Sequence, residues 1–178
     1  MRFINFILLP VLLLSVSGCN KKMPMNGTPE VLPTDLTPCT GGSCRFVYVE
    51  WTDLLDGYSA PGTGKFRVFK LETIQDGITK YLWLKAPMEG VAFSISSKEL
   101  SQGRGLYVTE CAGCRLIPYQ IVSGLVKGNR IPRENMSAPE RWVLEIRLNL
   151  ADDSGKLKGT VYVKQVFNPD FIRPEMTD

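Results

Sequence analysis

The sequence predicts an all-β fold: one antiparallel domain of about eight strands, built as a two-sheet sandwich or as a closed barrel. Three observations carry this. From Phe46 onward the chain is a series of short runs rich in Val, Ile, Tyr, Phe and Trp, cut by glycine and proline at sandwich or barrel spacing. Two of the cuts have hairpin chemistry, Asp76-Gly77 and the stretch Ala151-Asp152-Asp153-Ser154-Gly155-Lys156. Helical periodicity is nearly absent.

The strands expected in order are 46–51, 65–74, 78–86, 91–95, 105–109, 119–126, 141–150 and 158–167. Between the second and third, Asp76-Gly77 supplies the two positive φ angles of a type I′ turn. The third contains Tyr81-Leu82-Trp83-Leu84, apolar on both faces, as in a central strand covered on each side. One short helical turn is expected at 97–101, before the sheet resumes. The last strand alternates: Leu157, Val161, Val163 and Phe167 fall on one face, Lys158, Thr160, Tyr162 and Lys164 on the other. A domain of about 140 residues buries roughly two thirds of its extended surface, enough for a real core.

Two packings fit this strand list. Consecutive hairpins favour a lipocalin-like meander barrel, whereas the longer segment 127–140 suits a sandwich.

The chain opens with a cation at Arg2, an apolar run from Phe3 to Val16, and small residues ahead of Cys19, the order of a secretory signal. The stretch from Phe3 to Gly18 includes Asn5, Pro10, Ser15 and Ser17 and falls short of the ~20 apolar residues that span a bilayer. Val16-Ser17-Gly18-Cys19 resembles the lipobox of bacterial lipoproteins. That resemblance covers residues 1–19 and implies a signal peptide at 1–18, cut before Cys19, and a lipidated Cys19 thiol. Two or three acyl chains hold a protein stably on a bilayer where one does not. The expected location is therefore the cell membrane or outer membrane, lipid-anchored on the periplasmic or cell-surface side. Asn20 follows the cysteine where an acidic residue serves as a retention signal in some bacteria, which leans toward the outer membrane.

Residues 19–38 are expected to form the lipidated cysteine and a stiff tether, with prolines at 24, 29, 33 and 38, and 39–178 the β domain. At about 3.1 Å per residue the tether reaches ~60 Å. The net charge of +3, one unit of it Arg2, gives no footprint for nucleic acid.

The chain has no histidine, which removes Ser-His-Asp and Cys-His catalysis and histidine metal ligands. Asp152 and Asp153 are adjacent carboxylates, but they sit in a turn where acidic residues are ordinary. Residues 59–66 look like a phosphate loop, but Ser59 stands where the first glycine belongs and Phe66 where a magnesium-binding hydroxyl belongs. A strand follows instead of a helix, so no helix N-terminus receives phosphate.

Setting Cys19 aside leaves an even set, Cys39, Cys44, Cys111 and Cys114. An oxidising compartment makes disulfides the expected state, local or crossed. The alternatives are a thiol-disulfide redox protein using Cys111 and Cys114, or a structural zinc domain with all four thiolates. Pro118 and a strand-like run follow Cys114, so the helix that would lower a thiol pKa is not expected. Tyr81 and Trp83, with Tyr48 and Trp142, are a candidate ligand face for a sugar or apolar molecule; rings at strand period also fill cores. No catalytic residue, metal or cofactor is expected. The expected function is a non-enzymatic binding or interaction role at the envelope, toward a protein or small-molecule partner.

Overall fold

The computed structural model describes residues 30–40, 42–54, 61–113 and 116–170. Its strands are β1 (Ser43–Leu54), β2 (Pro61–Thr63), β3 (Phe66–Gln75), β4 (Ile78–Pro87), β5 (Ala92–Ile95), β6 (Gly105–Cys111), β7 (Ile117–Ile131), β8 (Arg141–Ala151) and β9 (Leu157–Pro169). A short helix α1 (Ser97–Glu99) continues into a π-helical turn over Leu100–Arg104. Ser96 caps α1 in a capping box with Glu99, and Gly103, with φ +89, ends the helical path.

Neighbouring strands β1-β3-β4-β6-β7-β8-β9 pair antiparallel in turn, and β9 returns to β1. The result is a closed seven-stranded barrel with β2 and β5 as extra strands. An odd number of alternating strands brings the first and last side by side in the same direction. The closing pair is indeed parallel, Val47 opposite Asn168 and Tyr48 opposite Pro169. Arg45 and Asp170 reinforce the seam with an ion pair at 2.9 Å.

The barrel, not the sandwich, is therefore the architecture. The segment that favoured a sandwich is mostly strand: β7 runs on to Ile131, leaving only 132–140 as a loop to β8. β7 turns the corner of the barrel. It pairs with β6 through residues 117–119 and with β8 from Gln120 onward, bulges between Ile121 and Ser123, and pairs with β5 through residues 126–129. Gly124 lies on the stretch that neither β5 nor β6 reaches, and Ser97 covers it, its hydroxyl donating to Gly124 O at 2.7 Å and accepting from Gly124 N at 2.9 Å. A bare edge is thus closed by one side chain.

The Asp76-Gly77 turn forms as expected, with φ +51 and +74 and Gln75 paired to Ile78. Inward-pointing residues fill the barrel. Phe69 is in ring contact with Tyr48, Phe93, Trp142 and Phe167 at centroid separations of 5.4 to 6.1 Å. Leu82, Leu84, Ile95, Leu100, Leu144 and Ile146 complete a packed core, as in other small barrels.

Residues 30–40, of which 30–38 belong to the expected tether, lie against this barrel. Val31 is buried and its N–H donates to Asn129 Oδ1 on β7 at 2.8 Å. Thr37 N–H donates to Lys164 O, Lys164 N–H donates to Thr37 Oγ1, and Gln165 Nε2 donates to Thr37 O. The segment thus crosses β8 on its way from β7 to β9. Val143 alternates with the core-facing Trp142 and Leu144 yet is 1% exposed, so its cover comes from outside the barrel. Residues 1–29, and with them the expected signal and Cys19, lie outside the described residues.

Candidate functional site

The hairpins β3–β4, β6–β7 and β8–β9 all turn at one end of the barrel, here called the mouth, and both cysteine motifs are placed there. Cys39 and Cys44 form a disulfide with Cα atoms 6.0 Å apart, and Cys44 lies opposite Thr73 on β3. Cys111 ends β6 opposite Ile78 on β4 and is also disulfide-bonded. Cys114 lies outside the described residues. Three strand spacings separate Cys44 from Cys111, roughly 14 Å across the sheet.

The Cys39–Cys44 loop folds tightly onto β3. A β-carbon at Gly42 would fall 1.8 Å from Ile74 O, so only glycine fits. Beneath the loop is a cavity of about 190 Å³ lined by Thr37, Phe46, Leu71, Thr73, Gln75 and Val163. At the same end of the barrel Ile74 and Ile78 from the first hairpin, Leu116 and Ile117 from the second, and Leu157 from the third are exposed. A small loop of this kind contributes about 2 kcal/mol by the chain-entropy estimate. The Cys39→Ser, Cys44→Ser double variant is expected to unfold in urea with stability lower by that amount and unchanged strand signal in circular dichroism.

Cys111 is followed by a turn, Gly113 having φ +89, and not by a helix. No helix N-terminus stabilises a thiolate at Cys111. Among the described residues no group of three His, Cys, Asp or Glu side chains is placed to hold a metal.

The four expected ring residues do not share a face. Tyr48 and Trp142 point into the core, while Tyr81 and Trp83 stack on each other outside it, centroids 5.1 Å apart. Parity explains the split: Leu82 and Leu84 are the inward residues of β4, so its rings face out. Even there Trp83 is buried with Val68 and Val108, and Lys70 lies 5.0 Å from the Tyr81 ring. Among the described residues the rings left open to solvent are Trp51, 66% exposed, and Tyr162, 51% exposed.

The opposite end is plugged by a polar cluster that sequence reading missed. Arg67 shares the inward parity of Phe69 and Leu71 and is 4% exposed. Its guanidinium lies 4.2 Å from the Trp142 ring centroid and donates through Nε and Nη2 to Glu50 Oε1 at 2.9 and 2.6 Å. Glu50 keeps the inward parity of Phe46 and Tyr48, and a bulge sets it together with Trp51 opposite Arg67, leaving Trp51 at φ +56, uncommon for a bulky residue. Glu140 completes the plug: its Oε1 accepts from Trp142 Nε1 at 2.9 Å, its Oε2 faces Arg130 and Arg133, and its backbone O accepts from the Tyr48 hydroxyl at 2.8 Å. The signal was available as a lone charge at an inward position of a strand.

Burial, with the carboxylates of Glu140 and Glu50, pushes the Tyr48 hydroxyl up to about 12. An unfolded tyrosine releases its proton near 10, so between the two values the folded state holds the extra proton. Stability from this group is complete below pH ~10 and falls by about 2–3 kcal/mol as pH rises to ~12. Urea titrations at pH 9 to 12 are expected to show this decline. The Tyr48→Phe variant is expected to show a shallower one, the remainder coming from Tyr81 and Tyr107, which burial shifts in the same direction.

Asp152, one of the adjacent carboxylates, is spent on its turn. Its Oδ1 accepts from Ser154 N, Ser154 Oγ and Lys156 N, and its Oδ2 pairs with Lys158 at 2.8 Å. These contacts hold its carboxyl well below the usual range, which suits a turn cap and not a proton carrier. In the phosphate-like stretch, residues 61–63 form β2 against β1 and Phe66 begins β3.

Comparison with protein families, with curated proteins and with solved structures finds no match. What the fold and the site define is an all-β meander barrel with a disulfide-braced mouth at one end and an arginine plug at the other.

Proposed function

We propose that the protein is a lipid-anchored bacterial envelope lipoprotein whose barrel mouth binds a partner protein without catalysing a reaction. The observation that carries this is the set of exposed Ile74, Ile78, Leu116, Ile117 and Leu157 at the same end of the barrel as the Cys39–Cys44 brace. Apolar side chains gathered from three separate hairpins form a surface with something to gain from being covered. The cavity beneath the Cys39–Cys44 loop, about 190 Å³, is smaller than the ~300–1,000 Å³ of small-molecule sites, so the rim is the contact surface. The cysteines brace this rim as oxidised staples.

Two experiments test the two halves. The Cys19→Ala variant is expected to move from the membrane fraction to the soluble fraction; retention on the membrane would remove the lipid anchor. Photo-crosslinkers at positions 74, 117 and 157 are expected to trap one protein product in cells, and a crosslinker at 127 is expected not to. Equal trapping from all four positions, or none from the mouth, would overturn the docking assignment.

A further inference from the structure

The outer face of β7, β8 and β9 carries a groove of about 470 Å³ that the mouth does not use. It lies within the range of small-molecule sites. The strand register fixes its layout. Leu125, Arg147 and Tyr162 form one cross-strand row, and Ser123, Asn149 and Thr160 the row beside it. Tyr162 stands half exposed, with the Arg147 guanidinium 5.3 Å from its ring centroid. The floor is backbone: a β-carbon at Gly124 would meet Arg147 O at 2.4 Å. The hydrogen bonds that tie Ser97 to Gly124 hold α1 as one wall.

The chemistry of the groove narrows its ligand. β8 is paired on both sides, so no free strand edge is offered to an added peptide strand. Arg147 is already engaged through Nε and Nη2 by Glu145 Oε1 at 2.9 and 2.6 Å, so the groove carries no uncompensated cation for a phosphate or carboxylate. What remains is an exposed ring beside short hydrogen-bonding groups. Asn149 Nδ2 donates to Ser123 Oγ at 2.7 Å, while Asn149 Oδ1 and the Thr160 hydroxyl have no partner among the described residues. A flat apolar face beside hydroxyls that donate and accept in the ring plane is the surface of a pyranose. We infer that this groove is a saccharide-binding site, with Tyr162 as the stacking platform and Asn149 and Thr160 as the hydroxyl readers.

The test is a titration of the full chain, labelled with ¹⁵N, with chitotetraose and separately with cellotetraose, followed by amide chemical shifts. Saturable shifts confined to residues of β7, β8 and β9 around Leu125, Asn149 and Tyr162 are expected with at least one of the two. The Tyr162→Ala variant is expected to bind that sugar at least about fivefold more weakly, and the Tyr162→Phe variant to stay within about twofold of wild type. Tyr162 is half exposed, so an unchanged thermal midpoint will show that the alanine variant is folded. No saturable shift with either sugar, shifts centred on the mouth, or binding indifferent to Tyr162→Ala would overturn the assignment. Loss of this site leaves the mouth crosslinks unaffected, and their loss leaves this titration unaffected.

Discussion

Replacing Trp142 by alanine is expected to lower the stability of the barrel by about 3–5 kcal/mol, a large part of what holds a domain of this size together. The side chain is fully buried and touches Phe69 and Phe93 at centroid separations of 6.1 and 5.7 Å. Its loss opens a cavity in the barrel core. It also removes the surface on which the Arg67 guanidinium lies, leaving a buried cation with carboxylates on one side and a void on the other. Urea unfolding followed by circular dichroism checks the value. A loss under 1 kcal/mol would mean that the arginine end is not packed as described.

The second large effect is expected at Glu140. Its carboxylate is the acceptor for Trp142 Nε1 and faces Arg67, Arg130 and Arg133, with only 16% of its side chain exposed. The Glu140→Ala variant strands a buried indole N–H and concentrates positive charge at one end, at a cost of about 2–4 kcal/mol. Arg67→Met is expected to behave differently. Arg67 already holds one donor, Nη1, without a partner among the described residues, and Glu50 is exposed enough to be hydrated once freed. An unbranched apolar side chain there keeps the packing on Trp142 and removes the desolvation cost, so its stability is expected within about 1 kcal/mol of wild type. Equal losses in the two variants would show that the ion pairs act as one unit.

Most strands were legible because one face of each is wet and the alternation shows it. β2 was not: Pro61-Gly62-Thr63 has no apolar residue and forms only because β1 lies beside it. The end of β7 was hidden by Gly128, Asn129 and Arg130, which read as loop but pair with β8 residue by residue. Alternation shows that a strand has two faces without saying which one faces in. That is why Tyr81 and Trp83 could be grouped with Tyr48 and Trp142 although the barrel wall separates them. Oxidised cysteines were expected from their even number, but local and crossed pairings were both open, and it is the fold that sets Cys39 beside Cys44. The rim of Ile74, Ile78, Leu116, Ile117 and Leu157 was not legible, because it exists only when three distant hairpins turn at one end.

The segment 30–40 also decides how the molecule bears load. On the lipid-anchored reading, a described contact with the barrel already stands at Val31, 12 residues from Cys19 and about 37 Å of extended chain, where the prolines alone gave ~60 Å. A pull on the anchor arrives first at Val31 and its bond to Asn129, near the arginine end. It then strips Thr37 from β9 one hydrogen bond at a time. At Cys39 the peeling stops, because the disulfide passes the force directly to Cys44 and along β1, which β3 holds from Ser43 to Val49. The strap is thus a fuse ahead of the barrel: it gives way in small steps and lengthens the tether by several residues before any strand of the wall is loaded.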